Sequence, residues 1–270
     1  VTPIAPAAPV AAPTPAPAPR PHVEVPARVR WQMGFRLLMV QGSWNYELLS
    51  GTGIGFCVEP ALRLLPGGPG GEAYRAALAR HSQYFNCHPY LAGVAVGALA
   101  RAELSGESPA KIERFRTALC GPLGSLGDRL VWAAWLPFCS ILSLAVFAAG
   151  APWWVVLAAF FVPYNAGHLW LRAWGLRMGL AGGLQVSQRL GTSWMREGPD
   201  RLAQAAALIG GLGLPIVLFR LIGPGRTLLG AVLAAVGAGA VLLLRLHGRV
   251  EGWRLALVVL TVVALFSLVR

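Results

Sequence analysis

Charge is scarce in this chain of 270 residues. Only 13% are Asp, Glu, Lys or Arg, against roughly a quarter in ordinary soluble domains. That shortage excludes a conventional water-facing surface and points to an integral membrane protein. Acidic residues are scarcer still, 11 against 23 Lys and Arg, which leaves a net charge of +12. A basic balance also suits nucleic acid, but no basic stripe with interleaved exposed aromatics lies outside the apolar segments, so no nucleic-acid partner is expected. Cysteine is rare: Cys57, Cys87, Cys120 and Cys139 are scattered, with no CxxC and no histidine at zinc spacing. They read as small buried hydrophobes. Also absent are a P-loop, a G-x-S-x-G elbow and paired carboxylates at glycosidase-like positions. No catalytic residue, metal or cofactor is expected.

What the chain has in abundance is hydrophobicity, 56% of its residues. Residues 1–28 form an Ala/Pro/Val-rich stretch, broken by proline and without the basic start of a signal peptide, and are expected to be a tether or tail. Arg30 to Leu65 is amphipathic and then apolar, suiting a surface helix that leads into a re-entrant hairpin. Glycines 51, 53 and 55 would allow close backbone approach there, and Pro66–Gly71 reads as a loop. Tyr90 to Leu104 is apolar but about 15 residues long, short of the roughly 20 that a span needs. Ser105 to Arg116 reads as a charged connector. Full spans are expected at Leu130–Gly150, kinked by Pro137, and at Trp153 to about Leu176. Leu180–Arg201 reads as a loop or interfacial segment, and further spans at 202–222, 228–246 and 253–269 end the chain. The fold expected is an all-α polytopic membrane protein with an amphipathic N-terminal helix, re-entrant hairpins and about five transmembrane helices. Its divisions are a tail (1–28), a core (29–200) and C-terminal spans (201–270).

Two polar patches interrupt this greasy chain: RHSQYFNCHPYLAG (80–93) and CGPLGSLGD (120–128). Hydrocarbon tolerates open backbone and an ionised carboxylate only where protein or water surrounds them. Asn86, His88 and Asp128 beside Pro89 and Pro122 therefore suggest a polar cavity, the usual mark of a transporter's binding site. Asn165, His168 and Arg172 share one helical face at i, i+3 and i+7, which must meet protein or water. The arginines from Arg172 to Arg201, and again at 245, 249 and 254, suit anionic lipid headgroups. By the positive-inside rule the segment from Arg172 to Arg201 favours a cytoplasmic location.

Four blocks together resemble the IID membrane subunit of mannose-type (mannose/fructose/sorbose) sugar phosphotransferase systems. They are QGSWNYELLSGTGIGFCVEPALRLLP (41–66), RHSQYFNCHPYLAG (80–93), GPLGSLGDRLVW (121–132) and YNAGHLWLRAWGL (164–176). The second is similar to the family's H-x-x-F-F-N-T-H-P signature, with Cys87 in place of Thr. The third is similar to G-P-L-A-G-I-G-D, with Gly124 and Ser125 in place of Ala and Gly. The resemblance implies a multi-pass subunit of the bacterial cytoplasmic membrane that pairs with a IIC subunit to translocate a hexose-type sugar. Cytoplasmic IIA and IIB would carry phosphate from phosphoenolpyruvate, so no phosphorylated residue is expected on this chain.

Within that frame, Gln41, Ser43, Asn45, Glu47, Asn86, His88 and Asp128 are the candidate sugar contacts, since amides and carboxylates match a polyol's mixed donors and acceptors. Each has a structural alternative: an interfacial polar face for residues 41–47, a cap and turn at 86–88, and a helix N-cap at Asp128. Pro89, Gly121, Pro122, Gly127, Asn165, His168 and Arg172 are expected to be structural or to face an interface. Two other functions remain open: a non-transporting receptor or regulatory remnant of an incomplete phosphotransferase system, and an intramembrane enzyme with His81, His88 and Asp128 as metal ligands.

Overall fold

The computed structural model describes residues 24–191 and 194–222. Helix α1 (Ala27–Arg36) buries Met33 while Trp31 and Phe35 stand exposed, as an amphipathic entry helix requires. A 3-10 turn (Leu37–Met39) and an irregular stretch lead to α2 (Gly51–Leu62), in which ten of twelve residues are buried. After the glycine/proline loop come α3 (Glu72–His81) and then α4 (Ala92–Leu104), buried everywhere but at Arg101. Helix α2 packs against α1, α3 and α4. Among the described residues there are no strands, only isolated bridges at Leu49.

One expectation fails instructively. The patch at 120–128 does not break the helix, and the charged connector is not separate from the span that follows it. Helix α5 (Pro109–Gly127), a π-helical segment (Asp128–Trp135) and α6 (Leu136–Ala148) run on as one helical stretch of 40 residues. Pro122 removes only one helical donor, and the exposed faces of Gly121 and Pro122 meet no opposing packing. Asp128 is therefore exposed in mid-helix, opening the π segment, and does not cap a helix N-terminus. Pro137 follows directly. It cannot donate to the carbonyl four residues earlier, and a widened turn just before it relieves the clash of its ring.

Helix α7 (Trp153–Gly182) runs past its expected end near Leu176. A 3-10 turn (Gly183–Gln185) and α8 (Val186–Gly191) occupy part of the segment read as loop. Helix α9 (Gly198–Ile222) covers the span expected at 202–222. The tail through residue 23 and the spans expected at 228–246 and 253–269 lie outside the described residues. Among the described residues two helical stretches, Pro109–Ala148 and Trp153–Gly191, are long and apolar enough to cross a membrane.

By internal packing the chain divides into two units, Val1–Trp132 with Asn165–Pro199, and Ala133–Tyr164 with Asp200–Arg270. In the second, the Ser143 hydroxyl donates to the Val156 carbonyl at 2.8 Å, and Arg220 donates to that of Phe147 at 3.4 Å. In the first, α4 and α7 meet through two glycine pairs. A Cβ on Gly93 would lie 2.7 Å from the Arg172 carbonyl oxygen. One on Gly175 would lie 3.1 Å from the Val94 nitrogen, and Gly97 and Gly179 press on the backbones of 176–180 and 94–98. This is the small-xxx-small contact of membrane helices, in which any side chain would force the backbones apart. Gly97→Leu is expected to cost ~3 kcal/mol or more through overpacking, read as a lower unfolding temperature in detergent. Gly121→Ala, with nothing within 4 Å of the added methyl, should leave it unchanged.

Candidate functional site

The stretch Ser82–Leu91 has no regular secondary structure of its own, yet Phe85, Cys87, His88 and Pro89 are buried. Its backbone groups must find partners elsewhere, and they find them in the other three sequence blocks. From the first block, the Leu48 carbonyl accepts from Phe85 N–H at 3.1 Å, and Ser50 N–H donates to the Phe85 carbonyl at 3.0 Å. Between them Leu49 adopts a left-handed conformation, φ 49°, which costs a β-carbon-bearing residue about 1–2 kcal/mol. The third block supplies the Leu123 carbonyl for His88 N–H at 3.4 Å. The fourth supplies Arg172, which donates to the Pro89 carbonyl at 3.3 Å.

A second arginine holds the start of the stretch. Arg116 of α5 donates to the carbonyls of Tyr84 (2.9 Å), His81 (3.4 Å) and Gln83, and lies 5.1 Å over the Phe85 ring. A cation here satisfies carbonyls that α3 leaves open at its C-terminus. Beneath it, Glu103 accepts from His81 Nε2 at 2.8 Å and from Arg80 at 3.1 Å. Burial pushes the Glu103 carboxyl up, but bonds from His81 and Arg80 outweigh this and hold it below the usual carboxylate range. Burial likewise holds His81 below the ordinary imidazole value despite Glu103. The group is thus a carboxylate neutralised by Arg80 with a neutral histidine beside it. A similar knot at Glu59, bound by Arg36 (2.8 Å), Arg63 (2.6 Å) and Tyr74 (2.8 Å), ties α1, α2 and α3 together.

His88 is the most constrained side chain of the site. Tyr90 N–H donates to its Nδ1 at 3.2 Å, so the ring proton of the neutral form sits on Nε2. That Nε2–H has no acceptor among the described residues. Burial, with Arg172 adding to it, pushes the ring down to about 4, so it stays neutral at physiological pH. A methyl at Gly127 would overlap the imidazole, and this is why glycine stands there. The ring contacts Tyr90 at 5.0 Å and Trp132 at 5.2 Å between centroids. Tyr90 in turn stacks on His168 at 5.0 Å and lies beneath Arg172 at 4.6 Å.

The expected residues separate into groups. Asn86, His88, Pro89, Gly127, His168 and Arg172 converge on the 84–90 stretch. Asn86 is exposed, with its amide nitrogen beside Gly124, whereas His88 is buried. Asn165 is exposed and bonded to His168 at 3.1 Å. Gln41, Ser43, Asn45 and Glu47 are all exposed. Asn45 shapes its own turn by accepting from Glu47 N–H (3.0 Å) and Leu48 N–H (2.9 Å). Among the described residues no three His, Cys, Asp or Glu side chains gather as metal ligands. His81 is committed to Glu103, and Cys57 and Cys87 are pushed up to about 12 by burial.

Sequence reasoning missed His81, Glu103 and Arg116 as positioning residues, and Tyr90 and Trp132 as aromatic walls. The signal for Arg116 was available. It stands on the apolar stripe Ile112, Leu119, Leu123 and Gly127, where a charge must have a buried partner.

The helical fold and the apolar stretches among the described residues define the class as a membrane protein. Residues 24–215 match the sequence model of the PTS system mannose/fructose/sorbose family IID component, and the chain belongs to that family. It is 28% identical over 178 residues to the mannose-specific EIID component of Escherichia coli K12, covering 64% of this chain and 60% of that one. To the sorbose-specific EIID component of Lacticaseibacillus casei it is 29% identical over 177 residues, covering 63% and 59%. The chain thus spans about 60% of the length of these curated relatives. Among solved structures, one membrane protein matches with a TM-score of 0.60 at 23% identity, over 70% of each chain. A chain of the complex of mannose transporter ManYZ with microcin E492 matches at 0.53 and 24% identity, also over 70% of each. These likenesses establish the fold.

The buried, neutral His88 has a measurable consequence. Its lowered value means that only the unfolded chain takes up a proton between pH 6.5 and about 4, so its contribution is complete above pH 6.5 and lost as pH falls. His81 acts with the same sign. The unfolding temperature is expected to drop by roughly 5 °C or more between pH 7 and 5. His88→Gln, which cannot titrate, should flatten that drop. An unchanged slope would place His88 in contact with water.

Proposed function

We propose that the chain is the IID half of a sugar-translocating unit, formed with a IIC subunit and coupled to phosphorylation by IIA and IIB. The observation that supports this reading is the convergence of the other three family blocks on the 84–90 stretch of the second. That convergence gathers Asn86, the unmet Nε2–H of His88 and the rings of Tyr90, Trp132 and His168 on one loop.

Asn86 and His88 are the groups proposed to hydrogen-bond the hexose-type sugar, with Asp128, next to the Gly127 that abuts the His88 ring, as a third candidate contact. Amides and a fixed N–H donor suit hydroxyls, and aromatic faces suit a sugar's C–H surfaces. Gln41, Ser43 and Glu47 are assigned a secondary role at the exposed entrance, because Asn45 is spent on the turn. Pro89, Gly121, Pro122, Asn165, His168 and Arg172 shape the loop or meet IIC. Residues 29–200 are proposed as the working core of a multi-pass subunit of the bacterial cytoplasmic membrane.

No phosphoryl transfer through His88 is proposed. Its Nδ1 lone pair is engaged by Tyr90 N–H, its Nε2 carries the proton, and burial keeps it from reaching a cytoplasmic phosphocarrier.

The test is phosphoenolpyruvate-dependent hexose uptake in cells supplying IIA, IIB and IIC. Asn86→Ala removes an exposed side chain, so the subunit should still copurify with IIC while uptake falls about tenfold or more, the effect of one lost polar contact. Labelled phosphate should appear on IIA and IIB and not on this chain. Normal uptake by Asn86→Ala would remove the residue from the mechanism. Assembly with IIC and no uptake even by the unaltered chain would favour a non-transporting receptor.

A further inference from the structure

A second surface of the same packing unit, away from the 84–90 stretch, carries a different chemistry. On α1, Trp31 is 79% and Phe35 67% exposed, although Leu37 and Met33 on the inner side are fully buried. A groove of about 350 Å³ runs between α1 and α7, lined by Arg30, Trp31, Gly34, Ala173, Leu176 and Arg177. It continues past Arg177 into a second groove of about 330 Å³, walled by Trp170, Trp174, Met178 and Ala181. Trp194 closes that end, packed on Trp170 at 5.3 Å and on Trp174 at 5.6 Å.

The lining combines two arginines, no acidic residue and an apolar floor. Arg177 makes no ion pair among the described residues. Arg30 uses one nitrogen on the Val25 carbonyl at 2.9 Å and keeps the rest of its donors. Arg28, one turn from Gln32, adds a third cation at the outer edge beside Trp31. Planar guanidinium groups match phosphate oxygens two at a time. Tryptophans in such a cluster mark headgroup depth. An apolar floor at that depth suits the start of an acyl chain.

We propose that this face is a binding site for an anionic phospholipid, its phosphate held between Arg30 and Arg177 and its first acyl carbons lying along Leu176, Met178 and Trp174. A zwitterionic lipid carries its own cation, which the two arginines repel. A protein partner of the same shape would need to supply acid to a surface that offers none.

Reconstituted full-length protein, alone and with IIC, tests this by tryptophan quenching with brominated phosphatidylglycerol against brominated phosphatidylcholine. The anionic lipid should be favoured about 10- to 30-fold, the preference two surface arginines supply. The preference should collapse in Arg30→Gln/Arg177→Gln and survive in Arg114→Gln, whose residue is exposed on α5. Raising salt from 0.15 to 1 M should weaken it in the unaltered protein, a readout that needs no variant. Equal quenching by both lipids, a preference untouched by salt and the double substitution, or loss of quenching once IIC binds would each overturn the proposal. The last would assign the face to the companion subunit.

Discussion

An irregular stretch of backbone cannot lie among apolar helices unless each of its polar groups has a partner, and Ser82–Leu91 is such a stretch. Two arginines, the Leu123 carbonyl and one strained turn supply such partners. Arg116 takes the carbonyls of His81, Gln83 and Tyr84, Arg172 takes that of Pro89, and the Leu48–Ser50 turn exchanges bonds with Phe85. Each unmet group would cost about 1–3 kcal/mol. The two cations themselves carry a desolvation cost, offset by several charge-assisted bonds and by the Phe85 and Tyr90 ring faces. The result is a loop with little freedom, presenting Asn86 outward and His88 inward.

Glycine makes this arrangement sterically possible. Arg172 reaches Pro89 only because Gly93 and Gly175 let α4 and α7 approach at backbone distance. His88 fits only because Gly127 has no side chain. Gly51, Gly53 and Gly55 bring the start of α2 against the backbone of Val40 and residues 82–83. The 33 glycines are therefore not merely breaks between elements; several are contact surfaces between helices.

Much of the chain was legible from its sequence. The amphipathic first helix, the close approach of the 51/53/55 glycines and the placing of Arg172 on the protein-facing side of α7 follow from periodicity and residue size, and the four blocks identify the family. The run 120–128 was misread because glycine and proline are strong local breakers, and no local rule shows that neighbouring helix turns and a π segment will carry the chain through them. The pairing of Glu103 with His81 and Arg80, and of Arg116 with three carbonyls, joins residues 22 to 35 positions apart. Such pairs become visible only once α3, α4 and α5 are placed together. The turn-shaping role of Asn45 was not legible because an exposed Asn and a turn-forming Asn look alike in sequence.

The same rigidity bears on transport. A loop held from several sides is a poor gate but a good template, so under the proposed function any movement of sugar would come from whole helices or from the proposed companion subunit rather than from local loop opening. The decisive measurement is hydrogen–deuterium exchange of the protein in lipid nanodiscs, followed across the amides of Phe85, His88, Tyr90 and Leu91. Exchange as slow as that of α4, with Arg116→Met releasing the stretch while the far half of α7 stays protected, is the predicted result. Rapid exchange at those four amides in the unaltered protein would contradict the account.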